Sequence, residues 1–252
     1  MTEQTLIVIP ARLQATRLPN KPLADICGKP MIVRVWEQAQ ASQVGEVVVA
    51  CGEPEIKEVV ERSGGQAVLT DPNLPSGTDR VWAAVETLDP SGKYSRIINV
   101  QGDLPTLDPT TVSRILGTLS NPAIDISTPV CPFTDEEEIN NPNVVKAVLS
   151  LKEGDTEGRA LYFSRSPIPH GMRPLYYHIG LYAFQREALE RFVSLPQTAL
   201  EKAERLEQLR ALEAGMTIQG VLVDSIPVGV DTPEDLEKAR SIVAKQDHAK
   251  IA

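Results

Sequence analysis

The sequence predicts an α/β fold in which a mostly parallel sheet carries a smaller, inserted mixed-sheet region. Two patterns lead there. In the N-terminal half, short β-branched runs alternate with amphipathic helical spacing, the signature of βαβ units with right-handed crossovers. After about residue 120 this alternation gives way to strand-like runs joined by proline-rich loops. A length of 252 residues suits one large α/β domain or two sub-domains that share a core.

The expected elements follow in order. Residues 6–9, 46–50, 67–69 and 96–100 read as buried strands, and 30–41, 54–62 and 78–88 as amphipathic helices between them. Asp108 and Pro109 suit the N-cap and first position of a further helix. Residues 124–130, 144–151 and 179–184 are expected strands of the inserted region. A single helix is expected over 200–213, with apolar positions at Ala203, Leu206, Leu209 and Leu212. A strand over 217–223 precedes a final helix, capped by Thr232-Pro233-Glu234-Asp235 and running to about Ala244.

Composition narrows the function classes. The chain is 42% hydrophobic and 23% charged, the balance of an ordinary globular protein. Its net charge of −9 argues against the basic face that a nucleic-acid binder needs. The three cysteines, Cys27, Cys51 and Cys131, have no metal-knuckle or redox spacing. The apolar run 6–9 is too short for a signal peptide and is cut by Pro10, and no stretch reaches the ~20 apolar residues of a membrane helix. A cytoplasmic location with no membrane or nucleic-acid partner is expected.

In parallel sheets ligands bind beyond the carboxyl ends of the strands, so the loops there carry the expected chemistry. The loop after the first strand brings Arg12, Arg17 and Lys21 within ten residues of one another. Such cations suit a triphosphate, whose oxygens guanidinium forks bind in pairs; a merely solvated loop is the alternative. Neither a P-loop nor a Gly-x-Gly-x-x-Gly motif occurs, so side chains would have to hold the phosphates. Asp103, after Gly102 at the end of a strand, suits an oxygen-ligand Mg²⁺ site or a plain turn. Asp231 suits a second carboxylate for the same ion, or a spare helix cap. The turn Ser76-Gly77-Thr78-Asp79-Arg80 suits reading of a base edge, or only an N-cap. Of His170, His178 and His248, none lies in a zincin motif, and no Gly-x-Ser-x-Gly elbow exists.

Taken together, these pieces resemble the 3-deoxy-manno-octulosonate (Kdo) cytidylyltransferases, or CMP-Kdo synthetases, over residues 6–242. The matching stretches include Ile9-Pro10-Ala11-Arg12, Thr16-Arg17-Leu18-Pro19, Lys21-Pro22-Leu23, Asn99-Val100-Gln101-Gly102-Asp103, Leu161-Tyr162-Phe163-Ser164-Arg165, His178-Ile179-Gly180-Leu181-Tyr182 and Gly229-Val230-Asp231-Thr232-Pro233. The resemblance implies a Rossmann-like nucleotidyltransferase core over about 1–120 plus 215–245, which binds CTP, and a sugar-binding and dimerisation region over about 121–214. It implies CMP transfer to Kdo for lipopolysaccharide synthesis, with Mg²⁺ on Asp103 and Asp231. Arg12, Arg17 and Lys21 would hold the triphosphate, with Arg17, Lys21 and the two aspartates serving catalysis. Ser76, Gly77, Thr78, Arg80 and Gln101 would bind the nucleoside. Arg165, His178, Tyr182, Glu207 and Gln208 would face the sugar. A homodimer is also implied. The chain departs from the family pattern at Leu104, at Cys51-Gly52 and in a short stretch between Arg165 and His178. These departures leave another acidic sugar, an amino-Kdo or a sialic acid, as the alternative substrate. A non-catalytic nucleotide binder on the same fold is the alternative class.

Overall fold

A computed structural model describes residues 4–14 and 17–251, which divide into two compact units: Met1–Ser113 with Pro227–Ala252, and Arg114–Ile226. The first unit opens with β1 (Gln4–Ala11), a 3₁₀ turn (Lys21–Leu23) and a short ribbon of β2 (Asp25–Ile26) and β3 (Lys29–Pro30). There follow α1 (Met31–Ala41), β4 (Glu46–Cys51), α2 (Pro54–Arg62), β5 (Gln66–Leu69), α3 (Gly77–Leu88), β6 (Tyr94–Asn99) and α4 (Pro109–Thr118). The second unit holds β7 (Ile126–Pro132), α5 (Glu136–Ile139), β8 (Lys146–Ser150), β9 (Glu157–Ser164), β10 (Tyr176–His178), β11 (Tyr182–Gln185), α6 (Arg186–Ser194), α7 (Ala199–Glu204), α8 (Gln208–Glu213) and β12 (Ile218–Leu222). The chain then returns to the first unit as α9 (Pro233–Ile251).

In the first unit the strand order is β6-β1-β4-β5 and every pairing is parallel. Helices cover both faces of such a sheet, so its strands read as unbroken apolar runs rather than alternating ones. Accordingly Leu6, Ile7, Val8 and Ile9 are all buried in β1. The sheet's carboxyl edge is where β1, β4 and β6 release the loops of the candidate site.

The second unit is mixed. β7 and β12 run parallel, whereas β12–β9, β9–β8, β8–β10 and β10–β7 are antiparallel. These five pairings close on themselves; Phe163 and His178 are buried on one face with ring centroids 4.7 Å apart, whereas Lys146, register partner of Ser164 and Tyr177, is buried on the other. The expected strands at 124–130, 144–151 and 179–184 correspond to β7, β8 and β11, each shifted or shortened.

The structure corrects one element outright. Residues 200–213 form two helices rather than one, because Arg205 adopts a left-handed conformation (φ 56°) at the end of α7. Across the break, the carboxylate of Glu201 accepts hydrogen bonds from Arg210 Nε and Nη2, the former at 2.8 Å. Both side chains are buried, 5% and 9% exposed. Burial raises the Glu201 pKa, but the Arg210 contacts outweigh it and hold the carboxyl below its ordinary value. Ala203, expected to be core, is exposed on the first of the two helices.

Removing one partner of a buried ion pair strands the other charge. Glu201→Gln is expected to lower stability by about 3 kcal/mol, read as a fall in the thermal midpoint on the order of 5–10 °C. Because the folded-state pKa is depressed, this contribution is present above the ordinary glutamate value of 4.5 and is lost as pH falls through the folded value. The gap between variant and parent should therefore shrink in melts below that pH.

Candidate functional site

Three loops of the first unit meet at the sheet's carboxyl edge. The loop after β1 is anchored where Leu13 N–H donates to the Glu53 carboxylate (3.0 Å), so the end of β4 steadies it. Asn20 takes a left-handed conformation (φ 55°), Lys21 N–H donates to Leu18 O, and Pro22 is buried beneath the 3₁₀ turn. The lysine is thereby held at a fixed point of the loop rather than left on a free stem.

The loop after β6 reaches the same place through Gly102. A Cβ on that residue would lie 2.7 Å from Pro10 O, so only glycine lets the two backbones approach. The third loop is tied to the second by a backbone hydrogen bond from Val230 N–H to Asp103 O (3.0 Å). Capping of α9 is done by its neighbours: Thr232 Oγ1 accepts from Asp235 N–H, and Asp235 Oδ2 accepts from the Thr232 and Asp231 amides. Asp231 is thus relieved of capping, and its carboxylate turns to the cations.

The result is a compact charge array. Lys21 Nζ donates to Asp103 Oδ2 and to Asp231 Oδ1, both at 2.9 Å, while Arg17 donates to Asp231 Oδ2 at 3.0 Å. Burial lowers the pKa of Lys21, but the two carboxylates outweigh it and the net shift is upward. Burial likewise raises the pKa of Asp231, and contacts with Lys21 and Arg17 outweigh it and bring it down. Lys21 and Asp231 are therefore both charged at neutral pH. A cavity of about 410 Å³ opens here, lined by Arg12, Arg17, Lys21, Gln101, Asp103 and Asp231 among others.

The nucleoside candidates divide. Ser76, Gly77, Arg80 and Gln101 line the cavity, but Ser76 Oγ also accepts from the Asp79 amide as the N-cap of α3. Thr78 is packed behind the wall, 1% exposed, with its hydroxyl accepting from Asn99. Arg80 donates to the Thr70 hydroxyl and to the carbonyls of Asp71 and Pro72, so it fixes that loop as well as lining the cavity. Gly52 leaves room for this arrangement: a Cβ there would meet Arg80 Nη1 and Pro72 Cα, each at 3.4 Å.

Asn99 and Glu53 were not among the expected site residues. Asn99 is fully buried, and its Oδ1 accepts from Gln101 Nε2 at 3.0 Å. That bond orients the Gln101 amide and leaves its Oε1 as an acceptor. A polar residue ending an otherwise apolar strand was the sequence signal for Asn99. Glu53, exposed in sequence terms, carried none.

The remaining candidates lie in the second unit. His178 is buried, with Nε2 at 2.9 Å from Thr128 Oγ1, and burial pulls its pKa down to about 3. The Thr128 hydroxyl also lies 2.8 Å from Leu181 O, an acceptor only; the hydroxyl donates there and accepts from His178 Nε2–H. His178 is thus neutral and locked. Tyr182 is buried, and burial followed by the nearby Glu207 charge drives its pKa well up. Gln208 is 4% exposed, and its Nε2 has no hydrogen-bond partner among the described residues. Arg165 spends three of its five N–H groups on backbone carbonyls: Nε on Glu204, Nη1 on Pro142 and Nη2 on Arg205. One N–H remains on each terminal nitrogen.

No helix among the described residues is long and apolar enough to cross a membrane. A cytidylyltransferase family model matches residues 6–218. The chain is 59% identical over 244 residues to the 3-deoxy-manno-octulosonate cytidylyltransferase of Paramagnetospirillum magneticum, covering 96% of this chain and 99% of that one. It is 60% identical over 241 residues to the enzyme of the same name from Parvibaculum lavamentivorans, covering 96% and 93%. Among solved structures, a CMP:2-keto-3-deoxy-manno-octonic acid synthetase complexed with CTP superposes with a TM-score of 0.89 at 38% identity, over 97% of this chain and all of that one. A 4-diphosphocytidyl-2C-methyl-D-erythritol synthase from Anaerococcus prevotii shares the fold alone, with a TM-score of 0.64 at 10% identity. By sequence and by fold, the chain belongs to the 3-deoxy-manno-octulosonate cytidylyltransferase family.

Proposed function

We propose that this protein joins CMP from CTP to the anomeric hydroxyl of Kdo and releases pyrophosphate, on a Rossmann-like nucleotidyltransferase core. The observation that carries the reading is the convergence of Asp103 and Asp231 on Lys21, within a cavity that also holds Arg12 and Arg17. These three cations suit the concentrated negative charge of a triphosphate, with the arginine forks binding phosphate oxygens in pairs. Gln101 Oε1, oriented by Asn99, offers an acceptor to the amino group of cytosine or to a ribose hydroxyl.

In the transfer, the sugar hydroxyl oxygen bonds to the α-phosphorus, the bond from that phosphorus to the bridging oxygen breaks, and pyrophosphate leaves. The hydroxyl proton passes to water. Negative charge grows on the bridging and non-bridging oxygens as this happens. Lys21, Arg12 and Arg17 neutralise it from fixed positions, which is the principal contribution a protein makes to such a displacement. His178, locked neutral, is no proton shuttle at neutral pH. Its ring is packed against those of Phe163 and Tyr182.

The two aspartates fit Mg²⁺. Their oxygens already converge on one cation, both are hard donors, and two carboxylates leave coordination positions open for phosphate oxygens and water. When bound, the ion supplies charge neutralisation and Lewis-acid polarisation at the phosphates. For the sugar, the unpartnered amide of Gln208 and the free N–H pair of Arg165 support a ligand rich in hydroxyls and bearing a carboxylate. The reading extends to a cytoplasmic homodimer built through residues 121–214 whose product serves lipopolysaccharide synthesis; the family resemblance supports these points. Light scattering tests the dimer.

Asp103→Asn and Asp231→Asn are each expected to lower turnover at least ~100-fold, about 3 kcal/mol of transition-state stabilisation, with an intact fold by circular dichroism. Near-normal rates in either variant, or full activity in excess EDTA, would remove the metal assignment.

Arg17→Ala should weaken CTP binding about tenfold by calorimetry, since a charge-assisted phosphate contact is lost. Its ligand-free melting temperature should stay put, because the Arg17–Asp231 pair is exposed.

A pyrophosphate-release screen of CTP against acidic sugars tests the substrate. Turnover of Kdo is expected to exceed that of N-acetylneuraminate by at least ~10-fold, because buried polar groups left unpaired by a misfit ligand are costly. Equal or better use of a sialic acid or an amino-Kdo would overturn the choice of sugar, and no turnover at all would favour a non-catalytic binder.

A further inference from the structure

Lys146 lies at the start of β8 with its side chain fully buried. Its ammonium donates to Asn141 O (2.7 Å), Val144 O (2.7 Å) and Arg165 O (3.0 Å), and to no carboxylate among the described residues. An ammonium buried without a counter-ion is costly, and sequences tolerate it where the charge itself is used. Next to it stands a second cation, the guanidinium of Arg165. The two together donate to six backbone carbonyls drawn from the 141–144 loop, the end of β9 and the end of α7. The single carboxylate in the cluster is Glu204, and it is already engaged by Ser164 Oγ (2.7 Å) and by the Arg165 amide (2.9 Å).

Two like charges held near one another, with one carboxylate already hydrogen-bonded, form a cluster that an incoming anion relieves. The geometry points to Lys146 as a positioning residue of a carboxylate subsite: it fixes the backbone of Arg165, aims that side chain's two remaining N–H groups, and adds the second positive charge that selects an acidic sugar over a neutral one. This deepens the sugar reading given above and rests on it. Carbonyls alone could have closed the same turns with an uncharged donor such as glutamine, so the charge is the feature that needs a ligand to explain it.

The test uses two unreactive Kdo analogues lacking the anomeric hydroxyl, one with the free carboxylate and one with the carboxamide, as competitive inhibitors of the full-length protein. In Lys146→Met, inhibition by the acid is expected to weaken at least ~10-fold, while inhibition by the amide and affinity for CTP change less than ~3-fold. If that variant fails to fold, Lys146→Gln, which keeps polar contacts to the carbonyls, should show the same split. Equal losses for acid and amide would mean a structural role only and would overturn the proposal, as would an unchanged acid constant. Wild-type protein that binds CTP but neither analogue would overturn the sugar reading and this proposal with it.

Discussion

Asp103 and Asp231 come from loops 128 positions apart in the chain, and two carboxylates this close repel unless a cation lies between them. Lys21 supplies that cation from a third loop. The arrangement depends on backbone geometry more than on side-chain reach. Gly102 lets the β6 loop press against Pro10, and the Val230 amide then binds the Asp103 carbonyl. With those two contacts in place both carboxylates lie within reach of Lys21. The apolar cluster of Ile26, Met31, Val230, Leu236, Ala239 and Val243, packed with Leu18, holds α9 and the cationic loop in the same frame. Hydrophobic burial thus sets the positions from which the charges act.

The cluster around Lys146 meets polar demands differently. Where Lys21 and Arg17 are set against carboxylates, Lys146 and Arg165 are set against backbone carbonyls. Carbonyl dipoles satisfy the hydrogen-bonding capacity of a cation without cancelling its charge. Such a cluster is rigid, since six carbonyls from three segments are pinned, yet it still carries a net positive field. His178 follows the same logic in neutral form: burial keeps its proton count fixed, and the Thr128 hydroxyl fixes which nitrogen carries the hydrogen. These groups have defined orientations before any ligand arrives, which is what recognition of a polyhydroxylated molecule requires.

Legibility from sequence followed the physics of burial. The parallel strands were visible because burial on both faces demands continuous β-branched runs, and helix starts were visible wherever Ser, Thr or Asp preceded an apolar pattern. β9 was not, because Glu157–Ser164 puts Arg159 and Leu161 outward and contains no Val, Ile or Thr. The break at Arg205 was hidden as well. The apolar spacing of Leu206 and Leu209 continues a helical period through it, and only the tertiary pairing of Glu201 with Arg210 shows why the chain turns there. At the site, the charged residues could be named from their loops, but their pairing could not. That Asp231 is spared from capping α9 became visible only with Asp235 seen performing it. Likewise Thr78 sat in the right motif and still faces the core, because adjacent residues of a helix point about 100° apart and Gly77 beside it takes the wall.

The departures from the family pattern become intelligible in the same terms. Cys51 is buried, and desolvation raises its thiol pKa to about 11, so it behaves as a small apolar side chain and not as a nucleophile. Gly52 beside it trades a side chain for space, which Arg80 and the loop at Pro72 occupy. Leu104, another of the departures, is 8% exposed, and a Cβ on Gly229 would lie 3.8 Å from it. A glutamate buried there would place a third negative charge next to Asp103 and Asp231, and Lys21 would then face three carboxylates instead of two. With leucine, the positive balance of Arg12, Arg17 and Lys21 over the two aspartates is preserved, and the cavity keeps the sign that a triphosphate needs. Neither departure removes a donor from the converging set.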